Sequence, residues 1–427
     1  MKKLFIIIVL LSAIALISPK FVGGIVKTEY QSALNKLNDN PAITIKSTTF
    51  NQHWFSGRVV TEMTVLLHND KVDDLNIVIE DDLSFGPIVF TNEGVKFALS
   101  YSKSNINFTD LFVGEEVENF IENKVHLSAL LTFSKDIITH IVIDEVSKEV
   151  DGNTIVSAKA VGKFVLENER RLYGDFNWAG LSATTADEIF TMEALKFSLD
   201  QTLISGSYYQ GNAISTGDFD FSLSSLKAKD ATGNSTFSFN NLLINAMSSV
   251  NNDLMAIKMN YSVDKLATAG LKLEKANLAV VLNGLDITVM QEINAFLIAL
   301  SNDGEAVFSS ENMNKLTALT AKLLANDPVI EIEDLSVETP EGKIESTMQV
   351  RVNKKRFDAA NFMSIMTAIN ATAKGTAPIE FFAKLGLASI VKHYVKQGFI
   401  IQKEDKISVN VKYTQGQLDI NGNVISL

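Results

Sequence analysis

A chain of 427 residues with 46% hydrophobic and 21% charged side chains carries enough apolar material for a large packed body and lies far from the disordered regime. Its formal net charge of −12 works against nucleic acid and against adhesion to anionic headgroups, both of which take Lys/Arg surfaces. With no cysteine there is no disulfide, thiolate metal site, thiol nucleophile or lipobox thiol, so stability has to come from packing.

Lys2 and Lys3 precede fourteen apolar or small residues, Leu4 to Ile17. Within that run Leu4, Phe5, Ile6, Ile7, Ile8, Val9, Leu10, Leu11, Ile14, Leu16 and Ile17 gain transfer free energy in hydrocarbon while the lysines stay at cytoplasmic headgroups, which predicts export of the remaining chain. A run of roughly 10 to 14 apolar residues is typical of a signal-peptide core, and Ala13-Ile14-Ala15 has the small-x-small form of a cleavage site. The apolar character nevertheless continues through Leu16 and Ile17. Phe21 to Val26 extends the candidate span to about 23 residues across Ser18, Pro19 and Lys20, with Lys20 snorkelling to the outer interface. The expectation is a single-pass signal anchor over residues 1–26 and an exported body over residues 27–427. The alternative is a cleaved signal and a soluble exported protein.

Lys27 to Leu37 reads as a helix, with Tyr30, Leu34 and Leu37 at spacings of four and three. From Ala42 onward the period becomes two. Ile43/Ile45 and Val59/Thr61/Met63/Val65 begin the pattern, Val156/Ala158/Ala160 give a weaker case, and Phe219/Phe221/Leu223, Met348/Val350/Val352 and Ile407/Val409/Val411/Tyr413 give clear ones. Turn signals separate the strands at Asp151-Gly152-Asn153, Gly211-Asn212, Thr232-Gly233-Asn234, Asn283-Gly284, Pro340-Glu341-Gly342 and Asn421-Gly422. A helical insertion over about residues 286–326 is predicted from Val289, Ile293, Phe296, Leu297 and Leu300, then Met313, Leu316, Leu319 and Leu323, with a turn at Ser301-Asn302-Asp303-Gly304. A further helix over about residues 378–397 starts at Pro378, carries Ile379, Phe382, Ile390 and Tyr394 on one side and ends at Gln397-Gly398. The predicted fold class is mainly β (α+β): large, mostly antiparallel twisted sheets covered by a helical hairpin and a C-terminal helix and preceded by the N-terminal membrane helix, as one long sheet-rich body or two sheet-rich halves around the helical insertion.

Three stretches near the start carry a resemblance: the N-terminal anchor, the aromatic turn Phe50-Asn51-Gln52-His53-Trp54-Phe55-Ser56-Gly57, and Leu83-Ser84-Phe85-Gly86-Pro87-Ile88. Asn326 to Ile332 and Gly416 to Gly422 add to it. Together they resemble the YdgA-like family of bacterial proteins of unknown function over nearly the whole length. The resemblance implies a Gram-negative inner-membrane protein with a periplasmic body and supplies no reaction. It singles out His53, Trp54, Phe55, Gly57, Gly86 and Pro87 as an aromatic turn of interest. Here Gln52-His53 replaces that family's usual Arg-Gly, and Phe85 replaces its His before Gly-Pro.

Chemical motifs are scarce. There is no Gly-x-Ser-x-Gly elbow, and Ser224 to Lys227 matches Ser-x-x-Lys without its partner motifs. His53, His68, His126, His140 and His393 include no i, i+4 pair suited to zinc. Glu80-Asp81-Asp82 and Glu115-Glu116 offer carboxylates to calcium or a glycosidase pair, but neighbours on a strand point to opposite faces and read as solvated charge. No catalytic residue, cofactor or metal site is assigned. The 26 phenylalanines fit either a sheet core or an open apolar sheet face that holds acyl chains. The first expectation for function is therefore a non-catalytic envelope scaffold or interaction protein that self-associates as a homo-oligomer. A lipid or lipophilic-ligand carrier comes second and an envelope hydrolase last, with the membrane, a second copy and lipid as partners and no nucleic acid.

Overall fold

The computed structural model describes residues 2–66, 74–109, 124–150, 152–268, 270–303, 309–358 and 361–426. Helix α1 (Lys2–Asn38) leads into an antiparallel sheet. Its first strands are β1 (Ile43–Gln52), β2 (Ser56–Val65), β3 (Leu75–Phe85), β6 (Ser100–Thr109), β7 (Val125–Leu131) and β8 (Ile137–Ile143), each bonded to the next. A small hairpin, β4 (Ile88–Thr91) with β5 (Gly94–Phe97), stands outside the main sheet. The order continues through β11 (Ala160–Glu167), β12 (Arg171–Thr184), β13 (Glu188–Ser205), β14 (Ile214–Asp230), β15 (Ser235–Asn251), β16 (Leu254–Thr268) and β17 (Lys272–Asp286). It finishes through β18 (Val329–Thr339), β19 (Gly342–Val352), β20 (Ile369–Pro378), β22 (Lys406–Thr414), β23 (Gln417–Ile420) and β24 (Asn423–Ser426). β9 (Val146–Val150) and β10 (Asn153–Ser157) prolong the β8/β11 hairpin, and β21 (Ile401–Lys403) pairs beside β22. Among the described residues β1 and β24 do not pair with each other, so the sheet is an open meander.

Several local expectations give way to tertiary context. Val156 to Ala160 is two strands, because the Trp178 indole donates to Ser157 Oγ and to the Ala158 carbonyl at the break; Val156 is exposed and Ala160 fully buried. Asn283-Gly284 lies inside β17, where the register slips between Leu282 and Leu285 and Gly284 takes φ +75°. The helical insertion forms as α2 (Ile287–Asp303) and α3 (Ser310–Leu324), but Ser301-Asn302-Asp303 continues the first helix and Ser309 caps the second by accepting from Asn312 N–H. Phe296 and Leu319 are buried as the periodicity predicts, whereas Leu297 and Met313 face solvent. The predicted helix at 378–397 is split. Pro378 ends β20, and α4 (Ile379–Lys384) is separated from α5 (Ala388–Lys396) by Gly386 at φ +77°. That break rotates the stripe, burying Val391 and exposing Ile390 and Tyr394.

The core is small and local. One cluster joins Val22 and Val26 of α1 to Val59, Leu83, Phe85 and Leu99. Others sit under α2 (Ile214, Met255, Ile287), under α3 (Ala321, Val352, Phe357, Ala368) and under α4 and α5 (Ala377, Val391, Ile407). Val22 and Val26 thus pack into the body, while Phe21 and Ile25 on the same stretch of α1 are exposed. Among the described residues no helix is both long and apolar enough to cross a membrane.

Candidate apolar trough

Strand register decides which side chains share a face. Leu199 faces Phe219, which faces Ala246, then Met259 and Val280. The same row continues to Ile332, Met348, Ala373 and Val411. One step along the strands, Phe176, Phe197, Phe221, Ile244, Tyr261 and Leu278 form a parallel row, with the Phe176 and Phe197 rings stacked at 5.4 Å. The opposite face is polar at the same level, through Ser198, Asp220, Asn245 and Asn260. A sheet with one apolar face normally buries it under a second layer. Here every residue of the Leu199–Val411 row remains only half-buried. The helices and their buried clusters sit over the beginning, one margin and the last strands of this face, and leave its middle as an open trough.

At the start of the sheet the trough runs under α1. A cavity of about 640 Å³ lies there, lined by Val26, Tyr30, Ala33, Leu34 and Leu37 of the helix and by Ile79, Leu127, Ala129, Ile137 and Leu166 of the sheet. Its size suits a small-molecule or acyl ligand, for which pockets of about 300–1,000 Å³ are usual. Ion pairs hold the helix across it: Glu29 to Lys135 at 2.8 Å and Lys36 to Glu169 at 2.6 Å, while Asn40 Nδ2 donates to the Tyr209 carbonyl. One helix thus touches β1 to β3 and also the turns after β7, β11 and β13, so the sheet curls around it.

Beneath α1 is one buried carboxylate. Asp81 accepts from the Tyr30 hydroxyl at 2.6 Å and from the Ser104 hydroxyl, and Thr61 Oγ1 lies 3.4 Å from the same phenol. Burial first, and the Asp81 charge second, push the Tyr30 phenol above its ordinary pKa, so it stays a neutral donor. The expectation of solvated charge at Glu80-Asp81-Asp82 therefore fails for Asp81. Alternation holds for its neighbours, since Glu80 pairs with Arg58 at 2.7 Å on the outer face, where Arg58 is also the register partner of Asp82. A lone acid in the apolar set Ile77, Ile79, Asp81, Leu83 and Phe85 was the signal available in the sequence.

The aromatic turn is assembled at one strand end. Phe85 N–H donates to the Phe55 carbonyl, Gly86 N–H to the Leu99 carbonyl, and a cis peptide joins Gly86 to Pro87. A side chain on Gly86 would meet the Ala98 carbonyl oxygen at 1.7 Å. Phe85 is core, 3% exposed, and Gln52 donates to the Lys20 carbonyl, so both positions that depart from the resembled pattern bind α1 to the sheet. His53 lines a polar outer cleft with Arg58, Asp82 and Lys103. His126 Nε2 sits 3.0 Å from Asp144, His140 Nε2 3.8 Å from Glu93, and His393 stacks edge-on to Tyr394. These groups do not converge with Asp81. His68 and Glu115-Glu116 lie outside the described residues. Among the described residues no three His, Cys, Asp or Glu side chains gather as a metal site.

A family model described as a bacterial protein of unknown function (DUF945) matches residues 1–427. The chain belongs to that family. No curated protein matches it. This DUF945 member combines a half-buried apolar sheet face with a buried Tyr30–Asp81 contact beneath α1.

Proposed function

We propose that this DUF945 protein binds lipophilic ligands, acyl chains of lipids foremost, along the apolar face of its open sheet. The observation that carries the reading is the half-buried row from Leu199 to Val411, which crosses nine strands without a covering layer. At about 4.8 Å per strand the row is about 38 Å long, more than the ~15 Å of a single leaflet's hydrocarbon. An acyl chain laid there removes both its own methylenes and the trough's side chains from water, at about 0.8 kcal/mol per methylene. The polar outer face and the charge of −12 suit a body that stays in water and meets lipid through apolar contact.

On this reading the chain falls in the YdgA-like group. Leu4 to Ile17 tethers it to the inner membrane with the body in the periplasm. The role is binding or transport rather than catalysis.

The test is lipid analysis by mass spectrometry of the full chain extracted from membranes. Phospholipid should co-purify with the wild type and be lost from Phe219→Asp and Met259→Asp, but not from Asn245→Asp on the outer face. A lipid-free protein that pairs two troughs face to face would replace this reading with self-association.

A further inference from the structure

The strand end next to α1 carries an unusual density of uncovered apolar side chains. Trp54 and Phe55 in the β1–β2 turn are 47% and 51% exposed, and Phe133 in the β7–β8 turn is 54% exposed. Between them, the β4–β5 hairpin buries Val89 against Tyr101 and Leu130 and turns the cross-strand pair Ile88 and Phe97 outward, with Phe97 74% exposed. On the other side of the sheet α1 exposes Leu16, Ile17 and Phe21.

The geometry of α1 says what lies beyond this end. Val22 packs on Phe85 and Leu99, Lys20's carbonyl accepts from Gln52, and Trp54 Nε1 donates to the Leu16 carbonyl at 2.7 Å. Tyr30 lies further in, at Asp81. The helix therefore leaves the body past Trp54, and at 1.5 Å per residue Leu4 is about 18 Å beyond Leu16. Leu4 to Ile17 alone supplies about 21 Å of apolar helix, short of a ~30 Å hydrocarbon core. Past Ile17 the next exposed residues are Lys20 and Phe21; counted to Phe21, with Lys20 reaching the interface, the length is about 27 Å. A bilayer can use those extra residues only if its surface rises to the body, and the body presents aromatic side chains at that height. Lys20 lies 5.3 Å over the Trp54 ring, a cation and an indole paired where a membrane interface accommodates both. A chain with net charge −12 gains nothing from anionic headgroups here, so the contact has to be apolar.

We propose that this end of the body seats in the outer leaflet of the bilayer, with Trp54, Phe55, Phe97 and Phe133 inserted at the headgroup–acyl boundary around α1. The seat completes the short N-terminal span and sets the covered start of the trough, under α1, against the membrane. The inference rests on the tether reading of Leu4 to Ile17 and is independent of what the trough holds.

The absence of cysteine makes single-site spin labelling direct. Full-length Phe55→Cys, Phe97→Cys and Phe133→Cys would each be labelled in phosphatidylethanolamine/phosphatidylglycerol vesicles, with Ile8→Cys reporting insertion of the N-terminal segment and Ser222→Cys reporting the outer face. Labels at 55, 97 and 133 should favour oxygen over a water-soluble nickel complex, as at position 8, and the label at 222 should favour nickel. If position 8 is inserted while 55, 97 and 133 remain aqueous, the body stands off the membrane and the seat is wrong. Dipolar broadening between labels at 97 would instead assign the surface to a second copy, and an aqueous position 8 would remove the tether on which the inference rests.

Discussion

Replacing Tyr30 by Phe removes one hydroxyl and leaves the ring in place against Phe50, 6.0 Å away. The lost contact is a 2.6 Å hydrogen bond to a carboxylate that is only 6% exposed. Hydrogen bonds to charged groups contribute about 1.5–3 kcal/mol, and a buried acceptor left unpaired sits at the upper part of that range. Asp81 keeps its bond from Ser104, so about 2 kcal/mol is expected, a roughly 30-fold loss in the ratio of docked to detached α1. The Trp54 indole, bonded to the Leu16 carbonyl, reports that docking, and Trp178→Phe leaves it the sole tryptophan. Urea titration of Trp54 fluorescence should show the transition at lower urea in Tyr30→Phe with an unchanged slope. Adding Ser104→Ala should cost more in the Tyr30→Phe background than in the wild type, because the second loss strips Asp81 of its remaining hydroxyl. A Tyr30→Phe shift below about 0.5 kcal/mol would refute the claim that this contact fastens α1 to the sheet.

The same phenol predicts an alkaline limit. Its pKa is raised in the fold, so its contribution is complete below the ordinary phenol pKa of about 10 and is lost as pH rises toward the higher folded value; Trp54 should report α1 release above that point in the wild type and no such step in Tyr30→Phe. Phe219→Ala should cost about 1 kcal/mol, since its ring is half-buried in a single layer, against about 3–5 kcal/mol for Phe85→Ala in the closed cluster; equal losses in calorimetry would show that the trough is already covered. Gly86→Ala has to displace the Ala98 carbonyl and should cost about 1–3 kcal/mol, read as faster hydrogen exchange confined to the β4–β5 hairpin. Ser309→Ala removes the cap of α3 and should lower stability by about 1 kcal/mol, with Ser309→Asp restoring it.

Alternation told which segments are strands and, at Phe219/Phe221/Leu223, which face of each is apolar. It did not tell how strands stack, because the row from Leu199 to Val411 exists only once nine registers are set. Local rules failed where a neighbour outweighed them. The pair Asn283-Gly284 is absorbed as a bulge because β16 stays paired on both sides of it, to Leu282 and to Leu285. Gly386 breaks what periodicity read as one helix, since its φ of +77° is available to glycine at little cost. The apolar run at the N-terminus was legible as apolar, but hydropathy does not distinguish Val22 against Phe85 from Val22 in lipid. Asp81 was visible as an acid in an apolar register; that Tyr30, 51 positions away, meets it was not.

The antiparallel meander bonds each strand chiefly to the next main strand in sequence, through short turns over most of β11 to β17 and through longer connections at the β4–β5 hairpin, at α2 and α3, and at α4 and α5. Such a sheet can be laid down strand by strand as the chain emerges, without waiting for a distant partner to close it. It is also extensible in a way a closed barrel is not: one added hairpin lengthens the row by about 9.6 Å and leaves every other register intact. The reach of the apolar face is therefore a quantity that insertion and deletion of hairpins can adjust in steps, and chains of different length in the family would be rulers graduated in strands.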